Sequence, residues 1–146
     1  GGIIILVLER MVKNVRFNSV EEITFGTALS IGLIQCTAML PGVSRSGATI
    51  MGGLMMGVER KTAAEFSFFL AVPTMMAATV YALWKDRALL SADDLDMIAI
   101  GFTAAFVVAV IVVKAFVALV GRFGFAPFAY YRIIVGSAAL IWLTMR

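Results

Sequence analysis

The chemistry in this sequence is concentrated in one stretch, Leu40-Pro41-Gly42-Val43-Ser44-Arg45-Ser46-Gly47-Ala48-Thr49. Ser44, Ser46 and Thr49 offer hydroxyls. Arg45 offers a planar guanidinium whose fork can grip two oxygens of one phosphate. Gly42 permits a sharp turn, and Gly47 permits close backbone approach. A helix starting near Gly47 would turn its unsatisfied N–H groups and the positive end of its dipole toward the tip. Every component favours an anion, and a phosphate held by Arg45 lies within reach of Ser44. The competing account is local, with Ser46 capping a helix and Arg45 snorkelling to an interface. It leaves unexplained why an arginine stands between two serines and two glycines, with long apolar arms on either side.

Those arms belong to a membrane protein. The chain has 146 residues, of which 62% are hydrophobic and 14% charged. A soluble domain carries about a quarter charged residues and about half apolar ones. The excess is too large for one core and disfavours a soluble enzyme, a disordered tail or a secreted disulfide scaffold. At about 20 residues per span, the chain could hold at most about seven. It has no His, which excludes a self-contained Ser-His-Asp triad, a phosphohistidine and a His-ligated zinc. One cysteine, Cys36, allows neither an internal disulfide nor a thiolate cluster, and it reads as a small buried hydrophobe. The formal net charge of +3 is read as topology signals in short loops, not as a nucleic-acid surface.

The spacing predicts an all-α, polytopic protein with a re-entrant helical hairpin over 23–58. Its apolar arms, 23–40 and 48–58, flank the polar tip. A charge at membrane depth costs about 3 kcal/mol or more, and irregular backbone there must line a cavity. Both arms therefore enter from one side. Transmembrane helices follow at 63–84, with a kink expected at Pro73, and at 97–120 and 127–145. Residues 9–22 read as an interfacial loop or short amphipathic helix. Lys114 reads as a snorkelling lysine, and Gly53 and Gly57 as a small-xxx-small packing pair. The opening run, Gly1 to Leu8, is apolar but lacks an initiator Met and a signal-peptide pattern. It predicts the tail of a helix that begins upstream, so that 1–146 is one membrane domain of a longer parent.

The basic residues assign the faces. If the hairpin re-enters, Arg10, Lys13, Arg16, Arg60, Lys61 and Arg122 share one side of the membrane. Lys85, Arg87 and Arg146 share the other with Asp86, Asp93, Asp94 and Asp96. The first face is then cytoplasmic and the C-terminus external.

The string LPGVSRSGATIMGG, followed by Gly57-Val58-Glu59-Arg60 and by the run Ala64 to Pro73, resembles the undecaprenyl-diphosphate phosphatases, the bacitracin-resistance protein family of bacteria. The likeness runs over essentially the whole chain, including Pro127-Phe128 and Tyr131-Arg132. It implies an enzyme of the bacterial inner membrane that hydrolyses undecaprenyl diphosphate to the monophosphate carrier of cell-wall precursors. It further implies two inverted repeats, each with a re-entrant hairpin, around a shared cavity. Matched positions make Ser44, Arg45 and Thr49 the residues that contact the diphosphate, with Gly42, Ser46 and Gly47 completing the binding loop. The family pattern also has an ExxxE pair associated with a divalent cation (Mg or Ca), and a functional histidine. This sequence has neither; where a repeat-related hairpin would carry its carboxylates stand Ile34, Gln35 and Ala38. The chain therefore reads as the C-terminal half, with no metal ligands of its own. Its implied partners are the lipid substrate, membrane lipids, the missing N-terminal half and a second copy in a homodimer.

Two questions stay open at this level. Ser44 is a nucleophile or a donor to a phosphate oxygen, and the absence of an activating base in the sequence favours the donor. Glu65 orients Arg45 or a serine hydroxyl, or else it is an acid stabilised near a helix N-terminus; the resemblance tips it toward a role. The alternative function is a transporter or flippase, since broken helices meeting at the midplane also build transport sites.

Overall fold

The computed structural model describes residues 2–11, 14–87 and 95–145. Gly1, Lys13, Asp93, Asp94 and Arg146, which enter the readings of the opening run and of the charge balance, lie outside the described residues. The described residues form six α-helices: α1 (Gly2–Met11), α2 (Phe25–Gln35), α3 (Arg45–Met55), α4 (Arg60–Lys85), α5 (Leu95–Phe123) and α6 (Ala126–Thr144). Short 3-10 turns occupy Val20–Glu22 and Cys36–Met39. No strand occurs among the described residues, only an isolated parallel bridge between Phe17 and Val58.

Side-chain caps set where the helices start. Thr24 accepts from the Thr27 N–H at the head of α2, Ser44 from the Gly47 N–H at α3, and Glu59 from the Thr62 N–H at α4. At α6 the task falls to Pro127 in the first turn, where a missing N–H costs nothing. The α3 stop is equally local. Gly57 sits at φ +85°, its N–H donates to the Leu54 carbonyl, and the Val58 N–H reaches back to the Gly53 carbonyl. That is a Schellman closure, with Val58 fully buried as its hydrophobic anchor. It corrects the small-xxx-small reading: Gly53 does pack closely on Ala63, but Gly57 lies beyond the helix and serves as its stop.

α2 and α3 form a hairpin. Ile34 lies against Gly52, and Gln35 bonds to Thr49, so the two arms run antiparallel with their seam close enough to need a glycine. The turn between them begins with Leu40-Pro41-Gly42-Val43, in which Gly42 adopts φ +86° and the Val43 N–H donates to the Leu40 carbonyl. This is a type II turn, which requires a positive φ at its third residue. α3 packs in turn on α4, α4 on α5, and α1 on both α3 and α6. Ile31, Ile50, Leu54, Val58, Ala63, Ala64, Val120 and Phe125 make up the buried core. Phe116 contacts Phe68 edge-on at 5.8 Å and Phe128 at 5.2 Å, tying α4, α5 and α6 together.

Three helices, α4, α5 and α6, are long and apolar enough to cross a membrane. Only 6% of the most apolar window of each is buried inside the protein. Contiguous apolar faces of that extent are not tolerated in water and need lipid or protein against them. The chain is an all-α polytopic membrane protein. α4 stays continuous across Pro73. It begins three residues earlier than the apolar run suggested, because Arg60 and Lys61 form its first turn.

Residues 9–22 depart from the loop reading. Glu9 belongs to α1, its side chain is only 10% exposed, and it accepts the Phe125 N–H at 2.9 Å while pairing with Arg60 at 3.4 Å. Residues 16–18 lace onto the α3–α4 turn through the Arg16 and Phe17 N–H groups on the Gly57 carbonyl, and through Thr62 Oγ1 donating to the Asn18 carbonyl at 2.7 Å. Gly124, at φ +67°, passes so close to Glu9 that a Cβ would overlap its carboxylate. Gly124→Ala should therefore destabilise the fold by about 2 kcal/mol or more, from a strained left-handed backbone plus a displaced, nearly buried carboxylate. A thermal melt in detergent would show it, and an unchanged midpoint would mean that the Glu9 junction carries no stability.

Candidate functional site

The hairpin tip brings Ser44, Arg45, Ser46 and Gly47 together at the head of α3. α3 begins at Arg45, two residues earlier than Gly47, because Ser44 is the capping serine. Ser44 Oγ accepts the Gly47 N–H at 3.2 Å and lies 3.2 Å from Ser46 Oγ. One lone pair of Ser44 is thus committed to the cap while its O–H can still donate. The N–H groups of Arg45 and Ser46 precede the first intrahelical bond, which runs from Ala48 to the Ser44 carbonyl, so both have no acceptor within α3.

Arg45 is half-buried and turns toward α4, where Nη1 donates to the Ser67 carbonyl at 3.2 Å. The remaining N–H groups of its fork are not used by this bond. Thr49 sits one turn further along α3 and is fully buried. Its hydroxyl lies 3.1 Å from Gln35 Oε1 and 3.0 Å from the Arg45 carbonyl. Its one proton has two acceptors within reach, one on its own helix and one across the seam between the two arms. Thr49 thereby joins α2 to α3 directly beneath the tip.

Glu65 is placed elsewhere. It lies 3.8 Å from Lys61, one turn earlier on α4, and lines a separate groove between α4 and α5. The partner of Arg45 on α4 is the backbone of Ser67, two residues on, and not the Glu65 carboxylate.

A cavity of about 340 Å³ adjoins the tip. Gly42, Ser44 and Gly47 line one side, Ile4 and Ile5 of α1 another, and Arg132 of α6 supplies its guanidinium, while Arg45, turned toward Ser67 on α4, is not part of the lining. Arg132 and Gln35 are the two participants that sequence reasoning passed over. Arg132 is the one charge within α6, and a lone arginine in an apolar span is itself a functional signal. Gln35 is the one amide on the first arm, but its pairing with Thr49 becomes visible only when the arms fold together. Among the described residues, no three of His, Cys, Asp and Glu come close enough to hold a metal ion. The described residues therefore do not fit a divalent cation, and Cys36, expected to be buried, is exposed at the end of α2.

An apolar helical bundle carrying a hydroxyl-lined pocket with one guanidinium at a hairpin tip defines a polytopic membrane protein. Over residues 1–138 the chain matches the family described as bacitracin resistance protein BacA, and it belongs to that family. It is 70% identical over its whole length to an undecaprenyl-diphosphatase of Sphingopyxis alaskensis, covering 55% of that protein. It is 58% identical to an undecaprenyl-diphosphatase of Rhizorhabdus wittichii, again covering 55%. With undecaprenyl-diphosphatase 2 of Paramagnetospirillum magneticum the identity is 53%, over all of this chain and 56% of the relative. The chain thus spans about half the length of the curated relatives it matches.

Proposed function

We propose that the complete protein hydrolyses undecaprenyl diphosphate to undecaprenyl phosphate and inorganic phosphate, and that this chain supplies the phosphate-gripping half of the site. The observation that carries the reading is the tip cavity, where Ser44 and the α3 N-terminus face Arg132 inside an otherwise apolar assembly. Hydroxyl, helix terminus and guanidinium together suit a phosphate whose lipid tail runs along apolar helix faces. The curated names of the relatives supply the substrate.

In this reading Arg132 stabilises charge on the phosphoryl oxygens from the cavity wall, Arg45 does so from beside it with the N–H groups that Ser67 leaves unused, and Ser44 donates its O–H to one of those oxygens. Nothing among the hydrogen-bond partners of Ser44 acts as a base, which favours the donor over the nucleophile. Thr49 acts through the Gln35 seam by holding the tip in place, and Gly42, Ser46 and Gly47 shape the loop. A divalent cation, with the carboxylates and histidine that complete the chemistry, belongs to the part of the parent protein outside this chain. We place the protein in the bacterial inner membrane with the hairpin re-entrant: α2 and α3 have 11 residues each, too short to cross. The charge balance puts the C-terminus on the external face.

The test is phosphate release from undecaprenyl diphosphate by the complete protein in lipid vesicles, with lipid movement between leaflets followed in parallel. Phosphate release with first-order dependence on enzyme is the expected result. Translocation of intact diphosphate without release would replace the phosphatase by a transporter.

A further inference from the structure

A second and larger cavity, about 900 Å³, lies between residues 18–21, α4 and α5. Its lining is sharply divided. Asn18, Glu21, Lys61, Glu65 and Lys114 supply the polar part, and Phe69, Val72, Val113 and Val117 supply an apolar channel. Depth can be read from the pairing of the two antiparallel helices. Gly121 lies beside the Lys61 stem, where an added Cβ would be 3.6 Å from Lys61 Cδ, and Phe116 stacks on Phe68. Lys114 is seven residues before Gly121, so its Cα is about 10 Å deeper than Lys61. It is the one charge in 97–120 and forms no ion pair among the described residues.

Lys61 pairs with Glu65 at 3.8 Å, which leaves Lys114, deep in the groove, and Glu21, at its exposed end, without an ion pair among the described residues. The Glu21 carboxyl is held below the usual range by its own backbone N–H and the Ser19 hydroxyl, so it is ionised at neutral pH. A purely anionic headgroup would leave Glu21 without a partner, and an uncharged lipid would leave Lys114 uncompensated inside the membrane, which is expensive. A headgroup with a phosphate below and an ammonium above satisfies both. We infer that this groove holds a zwitterionic aminophospholipid, with its phosphate against Lys114, its ammonium at Glu21, and one acyl chain along Phe69, Val72, Val113 and Val117. The volume suits part of such a molecule, since ligand pockets run about 300–1,000 Å³. This site is independent of the diphosphatase reading, because it shares no residue with the tip cavity.

The experiment is native mass spectrometry of the complete protein released from nanodiscs. The discs contain equal amounts of phosphatidylethanolamine, phosphatidylcholine and phosphatidylglycerol with identical acyl chains. Phosphatidylethanolamine should be retained over both others, because only a primary ammonium gives the Glu21 carboxylate N–H donors. Lys114→Gln and Glu21→Gln should each lower its retention about tenfold, the worth of one charge-assisted hydrogen bond. Arg45→Ala should leave retention unchanged. Both substituted side chains border the groove and lie outside the core, so the variants should fold. Equal retention of the three lipids, preference for phosphatidylglycerol, or lysine-directed cross-linking of Lys114 to protein in place of lipid would each overturn the assignment.

Discussion

Arg45→Ala in the complete protein should lower phosphate release from a polyprenyl diphosphate by about 10³-fold or more, the worth of an arginine directed at a transferring phosphoryl group. Arg45→Lys separates the two things this side chain can do. As an anchor, Arg45 needs only one donor for the Ser67 carbonyl, and a lysine ammonium can supply that. As a phosphoryl clamp it needs the planar fork, which lysine lacks. Lysine should therefore restore detergent stability but fall well short in turnover. Thr49→Ala removes a neutral hydroxyl buried in the hairpin seam, and a loss of roughly 10²-fold or less is expected, by comparison with single neutral donors at oxyanion sites. Gln35→Ala should reproduce it, since the two residues form one contact. Near-normal turnover by folded Arg45→Ala would reduce Arg45 to a structural anchor and favour transport over hydrolysis.

The 146-residue chain by itself, folded in detergent, should release no measurable phosphate, a loss of roughly 10⁴-fold or more against the complete protein. Catalytic groups that act as a unit lose nearly everything when one part is removed. This chain contains no histidine, and its described residues gather no carboxylate cluster. Supplying the remaining half of the parent protein in trans should restore turnover, provided the two apolar surfaces can meet. The control is circular dichroism showing that the isolated chain is helical. Robust turnover by the chain alone would show that the division of chemistry between the two halves is wrong.

Membrane residence, the helical class and the turn at the tip were legible in the residues themselves. They depend on local properties: apolar run lengths set by bilayer thickness and turn chemistry at Pro41-Gly42. The cap expected at Ser46 falls to Ser44. Helix starts were less exact, because capping by Glu59 and Ser44 draws polar residues into first turns that hydropathy assigns to loops.

What only the tertiary structure decided concerns partners distant in sequence. Glu9 is an ordinary loop acid until α1 folds against the α5–α6 turn and places it on the Phe125 N–H, 116 positions away. Thr49 has the residue type of a substrate donor, yet packing of the two arms buries its hydroxyl between Gln35 and the Arg45 carbonyl. Glu65 was open as a partner of Arg45, yet α4 carries it to the Lys61 side. Arg132 lies 88 positions from Ser44 and lines the same cavity only because α6 packs on α1 beside the hairpin. The physical reason is common to all four. A residue's type and near neighbours fix what bonds it can make, but which bond it makes is fixed by helix packing, which buries one face and leaves another open.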